Sequence, residues 1–152
     1  MLIKLQADEV LTVGSLGVSH FSAGYYAYVG SALGGFKSRL NRHLRKDKIP
    51  KWHIDYLLPH ETLNWHIDNR LQKAAIESII ICETEERVEC AIAQALHRKF
   101  DSIPRFGSSD CECPSHLFFA AESMESELMK VLRSLGLKPK VLDDLSKIGN
   151  YI

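Results

Sequence analysis

The chain has little of what would mark a special environment. Its 152 residues include only four cysteines and five prolines. Four thiols spread over this length do not form the dense disulfide framework of a small secreted domain. No apolar run approaches the roughly 18 residues that a membrane-crossing helix needs. The opening Met1-Leu2-Ile3-Lys4-Leu5 meets Asp8 and Glu9 too soon to be a secretory leader, so the expected location is cytoplasmic, with no membrane partner. An excess of one charge is missing too. Lys plus Arg and Asp plus Glu each number 19, which excludes a tail-like protein that holds nucleic acid by bulk charge. No Ser/Gly/Pro-rich linker, low-complexity tract or long repeat appears. The tetrapeptide Trp-His-Ile-Asp does occur twice, at 52–55 and 65–68, but four residues are too few for a repeat architecture. What remains, 45% hydrophobic and 25% charged residues, suits one globular domain over 1–152 whose core needs no metal or disulfide.

Apolar periodicity gives the expected elements. Short strands are expected at 1–6 and 9–13, with a turn at Ala7-Asp8 between them, and the run 25–29 is a further strand. In 35–46, Phe36, Leu40 and Leu44 recur every four residues, which predicts a helix with a narrow apolar stripe. Strands are expected at 52–58, 62–67 and 76–82. Thr84 is a fitting N-cap for a second helix, whose buried face would be Val88, Ile92, Ala95, Leu96 and Phe100. Residues 101–116 read as a Cys/His loop leading into a strand at 116–121. A helical extension over 123–152 is expected to start at Ser123, pause at Gly136 and resume briefly after Pro139. The fold class is α+β, a small, mostly antiparallel sheet flanked by helices.

Balanced net charge hides a local excess. Between Lys37 and Lys51 lie seven basic residues and one acid, Asp47. Lys37, Arg42, Arg45, Lys46 and Lys48 on such a helix can follow a phosphate backbone, though a solvated helix face accounts equally for them.

The chemistry concentrates around Tyr28-Val29-Gly30, where a strand ends in a residue that permits a sharp turn. Arg39 and His43 follow, four apart and so on one helix face. Tyr26 shares the strand face of Tyr28, while Tyr25 and Ala27 point the other way. A phenol, a guanidinium and an imidazole converging there suit a phosphodiester, because the guanidinium fork matches phosphate oxygens. Hydrolysis also needs an activated water and neutralised charge, which a hard cation on a carboxylate supplies. Each residue has a plainer reading: Tyr28 as a core aromatic, Arg39 and His43 as helix-surface groups.

These residues resemble the GIY-YIG nucleases. Tyr28-Val29-Gly30 looks like the second half of that signature, and Arg39 falls where the family places its helix arginine. The run 23–32, then His53-Ile54-Asp55-Tyr56-Leu57-Leu58, then Gly107-Ser108-Ser109-Asp110-Cys111-Glu112-Cys113-Pro114-Ser115-His116-Leu117-Phe118, resembles the Uri-type branch of small endonuclease-like proteins. The resemblance implies a DNA partner and a site of tyrosines, one arginine and one glutamate around Mg²⁺ or Mn²⁺. Tyr28 would be the base or the orienter of the attacking water, Arg39 the phosphate clamp and Glu89 the metal ligand. Two departures stand out. The family's first signature tyrosine, upstream of the segment matching Leu2-Ile3-Lys4-Leu5, has no counterpart here. A shortened start, substitution by Tyr25 or Tyr26, and impaired catalysis are the alternatives. Where repair-nuclease relatives carry a late asparagine the chain has Gly107, leaving Ser108, Ser109 or Asp110 to supply a polar contact.

Periodicity gives Glu89 modest independent support, since Ile92, Ala93, Leu96 and Phe100 lie on its side of the helix and Glu85 and Glu86 point outward. Capping of the helix N-terminus is the plainer role for Glu89. His53 and Asp55 alternate to one strand face and read as a hydrogen-bonded pair. Cys111-x-Cys113-x-x-His116 invites zinc, but its spacing is short and no fourth ligand is evident nearby, so zinc is disfavoured. Cys82 and Cys90 read as small buried hydrophobes. Ser108, Ser109, Asp110 and His116 are expected at the rim of the cleft. The leading expectation is therefore a Mg²⁺- or Mn²⁺-dependent DNA endonuclease. The alternatives are a nucleic-acid-binding module without cleavage, or a structural zinc protein built on the Cys/His loop. The oligomeric state stays open.

Overall fold

The computed structural model describes residues 1–45, 47, 49–58 and 74–142. Its strands are β1 (Leu2–Leu5), β2 (Glu9–Val13), β3 (Gly17–Phe21), β4 (Gly24–Tyr28), β5 (Ala74–Cys82), β6 (Asp101–Ser102), β7 (Leu117–Ala120) and β8 (Pro139–Leu142). Its helices are α1 (Phe36–Leu44), α2 (His53–Leu57), α3 (Glu89–His97) and α4 (Glu125–Ser134). Six strands form one sheet in the order β6-β7-β4-β1-β5-β8, while β2 and β3 make a separate hairpin. Among the described residues every pairing is antiparallel, as expected of the α+β class.

Alternation along the central strands divides the core in two. Ile3, Leu5, Tyr26, Tyr28 and Leu117 face the β2–β3 hairpin, α2 and Phe106. Leu2, Ala27 and Phe118 face α3 and α4. Along β5 the alternation changes phase, because Ile3 pairs with Ile76 while Leu2 pairs with Ser78, leaving Glu77 as an extra residue. Such a bulge swaps the faces beyond it. Ile79 and Ile81 consequently meet Leu40, Phe36 and Leu44 of α1, and Ile80 turns to the α3–α4 side. The bulge thus seats α1 beside the ends of β1 and β4.

Three expected elements are corrected. Residues 53–57 are helix α2, not strand. Ile54, Leu57 and Leu58, spaced as on one helix face, are buried in the core. The second helix starts at Glu89 and not at Thr84, whose hydroxyl instead accepts the Glu86 N–H in a preceding turn. After Pro139 the chain forms β8, an edge strand on β5, where a short helix was expected. α4 does stop at Gly136, with the Leu137 N–H reaching back to the Leu132 carbonyl. The expected strand 62–67, the second Trp-His-Ile-Asp, Lys46, Lys48 and the segment after Leu142 lie outside the described residues. Among the described residues, no helix is long and apolar enough to cross a membrane.

Candidate functional site

β4 ends at Tyr28, and the chain leaves the sheet through Val29, Gly30 and Ser31. A cavity of about 500 Å³ opens at this exit. Tyr28, Gly30, Ser31, Arg39, His43 and Glu89 all line it. The Val29 N–H donates to the His116 carbonyl at 2.9 Å, which continues the β4–β7 ladder and places His116 next to the same exit.

Gly30 admits the arginine. A Cβ at this position would lie 2.7 Å from Arg39 Nη2, closer than side chains tolerate. Gly107 does the same for the phenol. Its φ is +70°, and a Cβ there would sit 3.2 Å from both Tyr28 Cε2 and His116 Cβ. The positive φ and these tight contacts together disfavour a side chain at that point.

Trp52 organises the helix side. The Arg39 and Arg42 guanidinium groups lie 5.0 and 4.4 Å from its ring centre, and the His43 ring lies 5.7 Å away. The same imidazole packs edge-on to Tyr28 at 6.1 Å between ring centres. Beneath them Asp55, fully buried, accepts hydrogen bonds from Arg42 Nη2 at 2.6 Å and from the Lys51 and Trp52 N–H groups at 2.9 and 3.0 Å. Removing one partner of a buried, hydrogen-bonded ion pair costs about 3–5 kcal/mol. Asp55→Ala is therefore expected to lower the stability read from the urea midpoint by that amount. An unchanged midpoint would show that the network is dispensable.

Glu89, the first residue of α3, holds both sides of the exit. Its Oε2 accepts the Ser31 N–H at 3.0 Å, and its Oε1 pairs with His116 Nδ1 at 2.9 Å. Burial alone would raise the carboxyl. The hydrogen bonds from His116 and Ser31, with the charge of His116, outweigh it and bring the pKa from 4.5 to about 2. For Tyr28, burial pushes the phenol above its usual range, and Glu89 and Asp55 add to the rise. Arg39 opposes them by charge and hydrogen bonding without prevailing. At neutral pH the site therefore holds an ionised acid and a protonated phenol.

Several expected site residues lie elsewhere. Tyr26 is buried below the cavity and donates its hydroxyl to the Ser22 carbonyl at 2.7 Å. Ser108 and Ser109 line a different cavity of about 470 Å³, with His20, His53 and Arg105, and Asp110 is an exposed residue lining neither. His116 is not a rim residue, being only 2% exposed, and its ring lies between Glu89 and Cys111. His53 and Asp55 do not pair as expected, for His53 Nδ1 accepts the Gly107 N–H at 2.9 Å. Of the expected phosphate-binding residues, Lys37 is exposed, but Arg42 is tied to Asp55. Arg45 is exposed and paired with Asp47 at 2.9 Å. Surface pairs of that kind are weak and exchange readily. Glu85 and Glu86 are exposed as expected, at the border of the Tyr28 cavity.

Two residues of this neighbourhood were missed. Trp52 was read only as part of a strand, and the cations that stack on it come from α1, which its sequence neighbours do not reveal. Cys90 was read as a hydrophobe. Its thiol lies with those of Cys111 and Cys113 and a ring nitrogen of His116, all within 4.8 Å of one another.

The family model described as "Domain of unknown function DUF123" matches residues 1–137. The chain belongs to that family. Comparison of this DUF123 chain with curated proteins and with solved structures finds no match. The matched span takes in the whole cavity lining and the Cys/His cluster.

Proposed function

We propose that this DUF123 domain hydrolyses phosphodiester bonds in DNA as a Mg²⁺- or Mn²⁺-dependent endonuclease of the GIY-YIG kind. The carrying observation is that Tyr28, Arg39 and Glu89, from one strand and two helices far apart in sequence, line a single cavity. Arg39, stacked on Trp52, directs its guanidinium at a phosphate and offsets the charge that builds there. Glu89 fits a hard cation. It is ionised, its side chain is 25% exposed, and each oxygen keeps a lone pair beyond its present bond. One carboxylate suits Mg²⁺, which retains most of its waters. When bound, the cation supplies water activation and neutralises the leaving oxygen. Tyr28, protonated, orients the attacking water, and the adjacent His43 imidazole is the group that accepts its proton. Lys37 and Arg45, exposed on and just past α1, meet the phosphate backbone outside the cavity.

A second reading, a nucleic-acid-binding module without cleavage, is favoured by one observation. Among the described residues Tyr28 is the only tyrosine in the cavity lining, and neither Tyr25 nor Tyr26 adds a second phenol there. Incubation with labelled branched, flapped and plain DNA plus Mn²⁺ separates the two. Nicking that is lost in Tyr28→Phe, Arg39→Ala and Glu89→Ala supports the nuclease. Binding without nicking, unaltered by Glu89→Ala, supports the module. Gly30→Ala offers a subtler test. The new methyl displaces the flexible Arg39 tip rather than backbone, so the melting temperature is expected to hold while nicking falls at least about tenfold. Full activity in that variant would mean that the Arg39 position does not matter.

A further inference from the structure

We propose that Cys90, Cys111, Cys113 and His116 bind one zinc ion in a closed, four-coordinate site. The donors come from two places that the fold brings together. Cys90 is in the first turn of α3, and the other three belong to the loop that leads into β7. Their ligand atoms all lie within 4.8 Å of one another. Cys111 Sγ and His116 Nε2 are 3.4 Å apart. A tetrahedron with Zn–S near 2.3 Å and Zn–N near 2.0–2.1 Å has an S···N edge of about 3.5 Å. Three thiolates and an imidazole are soft donors, which prefer zinc to the hard cations proposed for the neighbouring cavity. With four protein ligands no position is left open for water, so the ion is structural.

The other face of the imidazole strengthens the assignment. Nε2 points at the thiols while Nδ1 meets the Glu89 carboxylate at 2.9 Å. Zinc-bound histidines commonly donate their second N–H to a carboxylate, which fixes the tautomer and the ring orientation. His116 is buried, so neither contact depends on a mobile side chain. The loop between β6 and β7 has little regular structure, and Cys113 within it is 7% exposed. A metal cross-link to α3 gives this loop an anchor that hydrogen bonds alone do not. It also ties the zinc site to the acid of the cavity, yet the zinc site stands whether or not that cavity cleaves DNA.

Metal content tests the proposal without any activity assay. The reduced 152-residue chain is expected to hold one equivalent of zinc by mass spectrometry. After chelation, Co²⁺ is expected to give the intense d–d and thiolate charge-transfer bands of a tetrahedral thiolate site, which added Zn²⁺ abolishes and millimolar Mg²⁺ does not. Cys90→Ser should weaken Co²⁺ binding at least tenfold, and Cys82→Ser, at the cysteine outside the cluster, should leave it intact. Glu89→Gln should keep the site but weaken it about 10–100-fold. If Cys90→Ser fails to fold, the wild-type cobalt spectrum and the Cys82→Ser control decide. Substoichiometric zinc with no thiolate bands, or iron in place of zinc, would overturn the proposal. So would equal affinity in a folded Cys90→Ser.

Discussion

Arg39→Ala is expected to cut cleavage by about 10²–10³-fold in a chain that still folds. The guanidinium has little structural work that cannot be spared. Its stacking on Trp52 is worth about 0.5–1 kcal/mol at a partly exposed site, and Arg42 stacks on the same ring at closer range. Its chemical work is larger. A phosphate in the cavity would bring negative charge beside Glu89, which is already ionised, and Arg39, stacked on Trp52, is a lining cation placed to offset it. The same side chain holds down the Tyr28 pKa against burial. Without it the phenol rises further and stays protonated, so the loss of rate is traced to the missing clamp and not to Tyr28. Arg39→Lys keeps the charge but loses both the two-pronged donor geometry and the planar stack, so it should recover only a small part of the rate. The measurement is single-turnover nicking with Mn²⁺ beside a circular-dichroism melt. Wild-type cleavage by Arg39→Ala would exclude a phosphate-clamping role.

Much of the fold was legible because the central strands alternate cleanly. Ile3, Leu5, Tyr26 and Tyr28 fall on one face and Leu2 and Ala27 on the other, as a period of two requires. Helix α1 was legible from Phe36, Leu40 and Leu44 for the same kind of reason. The failures came where local pattern is ambiguous or where a distant partner decides. In α2 the spacing of Ile54, Leu57 and Leu58 suits a helix, while His53 and Asp55 suit a strand, and five residues cannot choose between them. The choice rests with Asp55, whose carboxylate accepts the N–H at the helix start and holds Arg42 from another helix. β8 forms because β5 offers a free edge, which a reading of residues 139–142 alone does not show.

The site shows the same division. Tyr28, Arg39, His43 and Glu89 were singled out by the resemblance together with their places on strand and helix faces, and all four line one cavity. The cation count of 37–51 was misleading as a measure of exposed charge, since Arg39 turns into the cavity and Arg42 pairs with Asp55. Ser108 and Ser109 were placed at the rim by the resemblance, as substitutes for a late asparagine, yet Gly107 turns the loop with its φ of +70° and they face the other cavity. Cys90 escaped notice because zinc motifs are read as pairs close in sequence, and here one donor comes from a helix and three from a loop.

Glu89→Gln is the most discriminating substitution, because it preserves shape while removing the charge. A glutamine carbonyl can still accept the Ser31 N–H. Its amide N–H₂ then faces His116 Nδ1, where a donor now meets the carboxylate. The imidazole loses that bond, since its other nitrogen faces Cys111 and the proposed zinc, a cost of about 1 kcal/mol for one hydrogen bond. The fold should survive that loss. Cleavage should not, since the variant has no anionic oxygen for a divalent cation, and a fall of about 10³-fold or more is expected. DNA binding should be unchanged or tighter, because the carboxylate that Glu89 keeps ionised at neutral pH repels phosphate. A binding isotherm and a nicking time course on the same preparation therefore separate the readings. Affinity kept with cleavage lost fits a metal-dependent nuclease. Equal cleavage in Glu89→Gln and the wild type would remove Glu89 from the reaction and, with it, the reason to place Mg²⁺ or Mn²⁺ in this cavity.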